Sequence, residues 1–416
     1  VCLGGMAFLN TWDFPVYLAV VMLAFVARQY LERRALDRQW FLEALTTFVM
    51  LAALGILFYM PFYIGFQSQA GGPAINLWSE TRIQQYLVMF GPFVFIFIGL
   101  LVALGAGLLR RLDQAGDWRP GALVCGGVAV LMVAAALVTG RWLALLLSLM
   151  ITFGAFCVWR LLQMSEVEPA DAPAIFSLLL MIVGLGLTWA VEFVYLKDTF
   201  GTRMNTVFKF YYQAWTLLAI AGAYGVYHVL RRARPAAAYA FSAGFAALLL
   251  AGLVYQALAA PARADNFQRR PTLDGIAYTA QYWPADYAAT EWLKERVGGL
   301  AVVLEANGGS YTQFGRVSAM TGLPTLLGWG GHELQWRGSY EEPGRREPDI
   351  EKAYRSTNIV EARAILDKYG VDYVYIGRLE RDKFRLSDPM IEKFGAFMDL
   401  VYDRDGVRIY RRRGAA

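Results

Sequence analysis

The sequence predicts an α-helical polytopic membrane domain followed by a small extracytoplasmic α/β domain. The chain has 416 residues and is 57% hydrophobic but only 18% charged, which is typical of a membrane protein with a soluble part. Long apolar runs follow one another up to residue 260, whereas after Pro261 the charges are balanced and Gly and Pro turns are frequent. We therefore expect a multi-pass domain over 1–260, truncated at its N-terminus because the chain begins inside an apolar run, and an outer domain over 261–416.

About eight stretches are long and apolar enough to span a membrane, which takes about 20 residues of α-helix. They lie near residues 5–27, 41–64, 86–109, 120–139, 142–162, 173–196, 206–230 and 236–258. Asn10, Asp13 and Pro15 interrupt the first stretch, and proline is favoured in the first turn of a helix. This stretch is therefore either a span or a loop that leads into a helix near Pro15.

Arginine clusters in alternate connections indicate how the spans are oriented. The positive-inside rule makes these connections cytoplasmic. The clustered residues are Arg28, Arg33, Arg34, Arg38, Arg110, Arg111, Arg119, Arg160, Arg231, Arg232 and Arg234. Asp13, residues 62–85, residues 198–205 and everything after residue 260 then face the extracytoplasmic side of the plasma membrane. The net charge of +5 comes from these clusters and not from a basic face with interleaved aromatics, so we expect a lipid bilayer and no nucleic acid as partner.

The C-terminal part alternates between strand and helix patterns, which predicts a small α/β domain. Alternating or continuous apolar runs indicate strands, and a 3.6-residue apolar period indicates a helix. The predicted elements are a buried strand over 300–306, a helix over 358–370 with Asn358 as N-cap, a strand over 371–377, and a hairpin over 398–412 that turns at Asp405-Gly406.

The most informative segment is DTFGTRMNTVFKFYYQAW, residues 198–215. It sets Arg203, Asn205, Lys209 and Gln213 at the start of a long apolar run. Asn205, Lys209 and Gln213 are spaced i, i+4 and i+8, so they share one face of the helix. A charged side chain inside a membrane costs about 3 kcal/mol or more, and such residues usually mark a functional site.

Two interpretations of Lys209 follow from the same segment. Glu192 lies near the end of the preceding span, at a similar depth, so that Glu192 and Lys209 would form an ion pair between antiparallel helices. Alternatively, Arg203 and Lys209 neutralise a phosphate or pyrophosphate, which a guanidinium contacts well through two hydrogen bonds. The two interpretations are compatible, because a resting pair can open to admit an anion.

Asp13, in the motif NTWDFP at residues 10–15, is a candidate catalytic carboxylate. It would deprotonate an acceptor hydroxyl, hold a metal or bind a sugar hydroxyl. The alternative is that Asp13 caps the helix while Trp12 anchors it at the membrane interface. Asp13 and Asp198 are also the candidate ligands for a divalent cation, Mg or Mn, although the sequence leaves the metal and any other cofactor unknown.

In the C-terminal part, the segment GLPTLLGWGGHELQWRG, residues 322–338, is predicted to be a loop because of its glycines. Trp329 and Trp336 could stack on a sugar ring, and His332 with Glu333 could contact a substrate. The alternative is a structural role, because a lone His beside a Glu lacks the spacing of a metal site.

Residues 10–17, 203–215, 321–338 and 364–381 resemble the YYY-signature membrane proteins of Chloroflexi and archaea, a family with a domain of unknown function. The tyrosine signature falls on residues 210–212, where this chain has Phe-Tyr-Tyr. The layout is similar to that of GT-C-class glycosyltransferases, which combine many membrane helices with an extracytoplasmic α/β domain. The resemblance implies a polyprenyl-phosphate sugar donor and a catalytic carboxylate in the first outer loop. That carboxylate is either Asp13 or a residue upstream of this chain.

The sequence thus favours a membrane-embedded, glycosyltransferase-like protein that uses a polyprenyl-phosphate-linked sugar at the outer face. In this interpretation Arg203 and Lys209 stabilise the departing phosphate, and Glu192 or Asp198 orients Lys209 or binds a divalent ion. Trp329, His332 and Glu333 close over the acceptor. The alternatives are a transporter or lipid flippase whose intramembrane charges line a path, and a non-catalytic membrane protein.

Overall fold

The computed structural model describes residues 1–66, 70–111, 117, 119–164, 168, 171–198, 200–268 and 271–414. Parts of the predicted outer loops, residues 67–69 and 199, lie outside this description. The chain divides into two compact units, Val1–Asn266 and Phe267–Ala416. The boundary expected from the sequence, after residue 260, lies within the last helix of the first unit, Pro235–Arg263.

The first unit is a bundle of helices with one short β-ribbon. Its elements in the described residues are α1 (Cys2–Leu9), α2 (Asp13–Arg33), α3 (Arg38–Leu57), α4 (Met60–Gly65), β1 (Pro73–Ile75), α5 (Ile83–Arg110), α6 (Arg119–Val138), α7 (Trp142–Leu162), α8 (Asp171–Phe193), β2 (Val194–Leu196), α9 (Met204–Arg232) and α10 (Pro235–Arg263).

Seven helices among the described residues are long and apolar enough to cross a membrane, which confirms a multi-pass membrane protein. They are α2, α3, α5, α6, α7, α8 and α10. The predicted span over 206–230 is also a long helix, α9. It is not among the seven because its polar residues lower its mean hydropathy. The predicted span over 5–27 is wrong in its bounds. The helix is interrupted at residues 10–12, so that α1 ends at Leu9 and α2 begins at Asp13.

Helix α9 lies inside the bundle, where it packs against α8 and α5. Small residues let the helices approach closely, as is common in membranes. A Cβ at Gly184 of α8 would lie 2.8 Å from the Leu218 side chain of α9, and one at Gly225 would lie 2.7 Å from Ile96 of α5. The close packing fixes the rotation of α9 and therefore the direction in which its polar residues point.

The two ends of the bundle differ in character. At one end, Arg34 donates to the backbone carbonyls of Leu162 and Met164, and Arg111 pairs with Asp171. At the other end β1 and β2 pair in an antiparallel ribbon beside the start of α9. The predicted arginine clusters therefore gather at the end opposite to Asp13 and the polar segment at 198–213.

The second unit is built around a four-stranded sheet of order β3-β4-β6-β5. Strands β3 and β4 are parallel, and the others are antiparallel. Its elements are α11 (Ala277–Tyr282), α12 (Pro284–Arg296), β3 (Val303–Leu304), α13 (Arg316–Thr321), α14 (Gly330–Arg337), α15 (Glu341–Arg355), α16 (Ile359–Lys368), β4 (Tyr373–Ile376), α17 (Arg378–Phe384), α18 (Asp388–Glu392), β5 (Met398–Arg404) and β6 (Val407–Arg412).

Local sequence signals gave most of this sheet correctly. Asn358 caps α16, since its side chain accepts from the backbone N–H groups of Val360 and Glu361. The β5–β6 hairpin turns at Asp405 and Gly406, which both have positive φ as a two-residue turn requires. The strand over 300–306 is shorter than predicted, because only Val303 and Leu304 pair with β4.

The segment 322–338 is not wholly a loop, and this prediction was wrong from residue 330 onward. Gly330 and Gly331 form the first turn of α14. An ion pair between Glu333 and Arg337, one turn apart, supports the helix, and Gly338 ends it with a φ of 72°.

Candidate functional site

The polar face of α9 meets the start of α2 at one end of the bundle. Asn205 Nδ2 donates to Asp198 Oδ2 at 2.5 Å, and two turns further along, Gln213 Nε2 donates to Asp13 Oδ1 at 2.6 Å. Lys209 lies between these two amides on the same face. The structure thus brings together five residues that the sequence singled out from two separate segments, residues 10–15 and 198–215.

Asp13 joins α2 to α9 across 200 residues of sequence. Its Oδ1 accepts from Gln213 Nε2 and also from Asn10 Nδ2 at 2.7 Å, while Oδ2 accepts no hydrogen bond from the described residues. The N-cap residue of α2 is Trp12, and no side chain caps the helix. The interpretation of Asp13 as a helix cap is therefore wrong, and its carboxylate is oriented by two amides with one oxygen left open.

Lys209 is a cation without a direct acidic partner in the described part of the chain. Its Nζ lies 4.6 Å from the centroid of the Trp12 ring, a cation–π contact. The charges of Asp13 and Asp198 act on it through space, but it forms no hydrogen bond or ion pair with described residues. A partly buried ammonium with three free donors is suited to receive an anion.

Arg203, in contrast, donates hydrogen bonds from all three of its guanidinium nitrogens. Its Nη1 donates to Glu192 Oε1 at 2.8 Å and to the carbonyl of Val191 at 3.0 Å, its Nη2 donates to Thr81 Oγ1 at 3.0 Å, and its Nε donates to Ser79 Oγ at 3.1 Å. Glu192 is completely buried and also accepts from the backbone N–H and the hydroxyl of Thr81. This network ties the start of α9 to α8 and to the segment before α5.

The predicted ion pair between Glu192 and Lys209 is wrong, because Glu192 pairs with Arg203. Helix geometry explains the difference. Lys209 follows Arg203 by six residues, which at about 100° per residue turns it about 240° around the axis and onto another face. Lys209 thus faces Trp12 and Asp13, whereas Arg203 faces the end of α8.

The carboxylates proposed as metal ligands do not fit a divalent cation. No group of three or more His, Cys, Asp or Glu that could hold a metal occurs in the described residues. Asp13 and Asp198 each accept from a side-chain amide, and Lys209 carries a positive charge beside them. Mg²⁺ needs several oxygen ligands, and a neighbouring ammonium opposes it.

In the second unit, Trp329 and His332 belong to an aromatic cluster with Tyr311. The His332 ring lies 4.9 Å from that of Tyr311 and 5.0 Å from that of Trp329, both edge-on. Trp329 Nε1 donates to the carbonyl of Phe314 at 2.6 Å, which fixes the indole. Glu333 points to Arg337 instead and forms an ion pair on the same helix. The three predicted ligands therefore do not converge on one point.

Several residues of the helical site were missed from the sequence. Thr81 and Ser79 carried no signal, since their partners Glu192 and Arg203 lie more than a hundred residues away. Asn10 did have a signal in the sequence. It precedes Asp13 by three residues in a short polar motif, and this spacing permits the hydrogen bond between them.

The bundle and its polar network define a multi-pass membrane protein with an internal polar site. The model of an uncharacterized membrane protein family, DUF2298, matches residues 1–218, and the chain belongs to this family. No curated protein matches the chain. The matched region extends through Gln213 of α9 and thus includes every residue of the helical site, whereas the aromatic cluster around Trp329 lies beyond it.

Proposed function

We propose that the protein is a membrane-embedded, glycosyltransferase-like enzyme that uses a polyprenyl-phosphate-linked sugar at the outer face of the plasma membrane. The observation that carries this proposal is the partly buried Lys209 ammonium, which has no ion pair with a described residue and lies near Asp13, a carboxylate with one oxygen that no described residue bonds. In transfer from a phosphate ester, a carboxylate with a free oxygen can act as the base, and a cation without an acidic partner can stabilise the leaving phosphate.

In the proposed reaction, the oxygen of an acceptor hydroxyl attacks the anomeric carbon of the sugar. The bond between that carbon and the phosphate oxygen breaks, and its electron pair leaves with the lipid phosphate. Asp13 takes the hydroxyl proton on Oδ2, and Lys209 stabilises the charge that develops on the phosphate. Asn205 and Gln213 hold Asp198 and Asp13 in place through their amides, so they are positioning residues.

The proposed orientation puts the Asp13 and Lys209 end of the bundle outside. This orientation is supported by the arginines, which collect at the opposite end of the bundle. There Arg34 donates to backbone carbonyls at the end of α7, and Arg111 forms an ion pair with Asp171. The C-terminal unit is then extracytoplasmic as well. That Trp329, His332 and Glu333 contact an acceptor stays a prediction.

The test is transfer of a labelled sugar from a synthetic polyprenyl-phosphate donor by the full chain in proteoliposomes. We expect Lys209→Ala to lower the rate by about 10²-fold or more, as the loss of one transition-state donor does. Asp13→Asn should lower it by a similar factor, because the amide keeps the shape but cannot take the proton. Lys197→Ala is the matched control, since Lys197 is exposed near the same end and outside the site.

Full activity of Lys209→Ala would contradict the proposal. Movement of the lipid across the bilayer without any covalent product would favour the flippase alternative instead.

A further inference from the structure

A second feature, independent of the proposed catalytic site, lies at the arginine end of the bundle. A cleft of about 720 Å³ opens there between α5, α9 and α10. Its walls are mainly small and apolar, from Val102, Ala103, Ala106, Gly107, Val229 and Ala237. Their small side chains leave a groove along α5 that is open at the arginine end.

The cleft has a floor and a definite length. Phe241 of α10 packs on Gly99, where a Cβ would lie 2.8 Å from the Phe241 ring, and stacks on Phe95 at 5.2 Å. From Gly99 to Arg110 the groove follows eleven residues of α5, or about 16 Å at the rise of an α-helix. That is close to the depth of one leaflet, about 15 Å, or half of the hydrocarbon core.

The mouth of the cleft carries more positive than negative charge. Arg111 binds Asp171, with Nη1 at 3.1 Å from Oδ1, and Arg232 reaches Glu168 at 3.4 Å. The other two arginines that line the mouth, Arg110 and Arg234, form no ion pair with any described residue. Among the described residues of the mouth, four arginines against two carboxylates leave two guanidinium groups without an acidic partner.

We propose that this cleft binds one anionic phospholipid of the surrounding leaflet. Arg110 and Arg234 hold its phosphate, since a guanidinium forms two parallel hydrogen bonds to phosphate oxygens. One acyl chain lies along Ala103, Ala106 and Gly107 and ends at Phe241. A zwitterionic lipid brings its own cation and so adds no net negative charge to the mouth, and a free phosphate would leave the groove empty, so an anionic lipid fits both parts of the cleft.

The test is native mass spectrometry of the full chain released from nanodiscs that contain phosphatidylglycerol and phosphatidylcholine in equal amounts. We expect the wild-type protein to keep one phosphatidylglycerol. Arg110→Gln with Arg234→Gln should lower its occupancy by about ten-fold. The matched control is Arg38→Gln with Arg231→Gln, which removes two exposed arginines at the same end but outside the cleft and should keep the lipid.

A second variant separates the groove from the charges. Ala106→Phe fills the groove and leaves Arg110 and Arg234 in place, so it should also lose the lipid, at unchanged thermal stability. Equal retention of phosphatidylcholine and phosphatidylglycerol by the wild type would overturn the proposal. Equal retention of phosphatidylglycerol by the Arg110/Arg234 variant, or its displacement by inorganic phosphate alone, would overturn it as well.

Discussion

Two polar networks lie at the same end of the bundle and differ in how completely they are satisfied. Around Arg203, the guanidinium and the buried Glu192 carboxylate bind each other and Thr81. Around Lys209, the only described side chain in direct contact with the ammonium is the Trp12 ring, and one oxygen of Asp13 accepts no hydrogen bond from a described residue. The saturated network has the character of a scaffold, while the open one can accept a ligand.

The difference matters because both networks are embedded in an apolar bundle. An unpaired charge there reduces stability, so it is expected only where binding or chemistry uses it. A buried pair, in contrast, is strongly destabilised when one partner is removed, because the other is left without compensation. Mutation of the two networks should therefore have different effects. Changes around Arg203 should lower the stability of the fold, and changes around Lys209 should lower activity.

The largest effect is expected in the saturated network. Arg203→Ala should lower the free energy of unfolding by about 3–5 kcal/mol, because it leaves the completely buried Glu192 without its cation. Chemical denaturation in detergent measures this. The double variant Arg203→Met with Glu192→Met should recover part of the loss, since neither charge is then stranded. An Arg203→Ala protein as stable as the wild type would show that the network is not a scaffold.

An intermediate effect on stability is expected at Glu305, a buried glutamate of the second unit to which no arginine donates a hydrogen bond in the described residues. Burial raises the pKa of Glu305 to about 7, against an ordinary value of 4.5, although the backbone N–H groups of Val317 and Ser318 donate to it. The folded state therefore binds more protons than the unfolded state between these values. Stability of the second unit should fall as pH rises from about 4.5 to 7, by up to about 3 kcal/mol, and level off above.

Hydrogen exchange of the β4 amides, measured in the full chain against pH, tests this. Glu305→Gln should remove the slope even if it lowers stability throughout. Glu295→Gln, at an exposed position of α12, should keep the slope. A slope of the opposite sign in the wild type would show that Glu305 stays ionised in the fold.

The smallest effect is expected at the ring that supports Lys209. Trp12→Leu removes a cation–π contact worth about 0.5–2 kcal/mol and should lower sugar transfer from about two-fold to thirty-fold. Trp12→Phe keeps an aromatic face and should lose less. Equal losses in the two variants would indicate that Trp12 acts through its size and not through its ring electrons.

The helices and strands and the polar residues of the site could be predicted from the sequence. Which polar residues bind each other could not. The i, i+4, i+8 spacing of Asn205, Lys209 and Gln213 correctly predicts one face, because helix geometry is local. The choice of Arg203 as partner of Glu192 depends on the rotation of α9, which close packing at Gly184 and other distant positions decides. Such long-range contacts leave no pattern in a single sequence.

The same limit applies to the second unit. Capping by Asn358 and the Asp405-Gly406 turn follow from neighbouring residues, and both were predicted. The start of α14 at Gly330 was not predicted, because consecutive glycines normally indicate a loop.

The proposed function depends most directly on Lys209 as the open cation that binds the lipid phosphate. Direct binding of a polyprenyl phosphate to the full chain in nanodiscs tests it without requiring turnover. We expect Lys209→Gln to weaken binding by about ten-fold or more, as the loss of a hydrogen bond to a charged group does, while Lys197→Gln and the wild type bind equally. Equal binding by Lys209→Gln and the wild type would contradict the account.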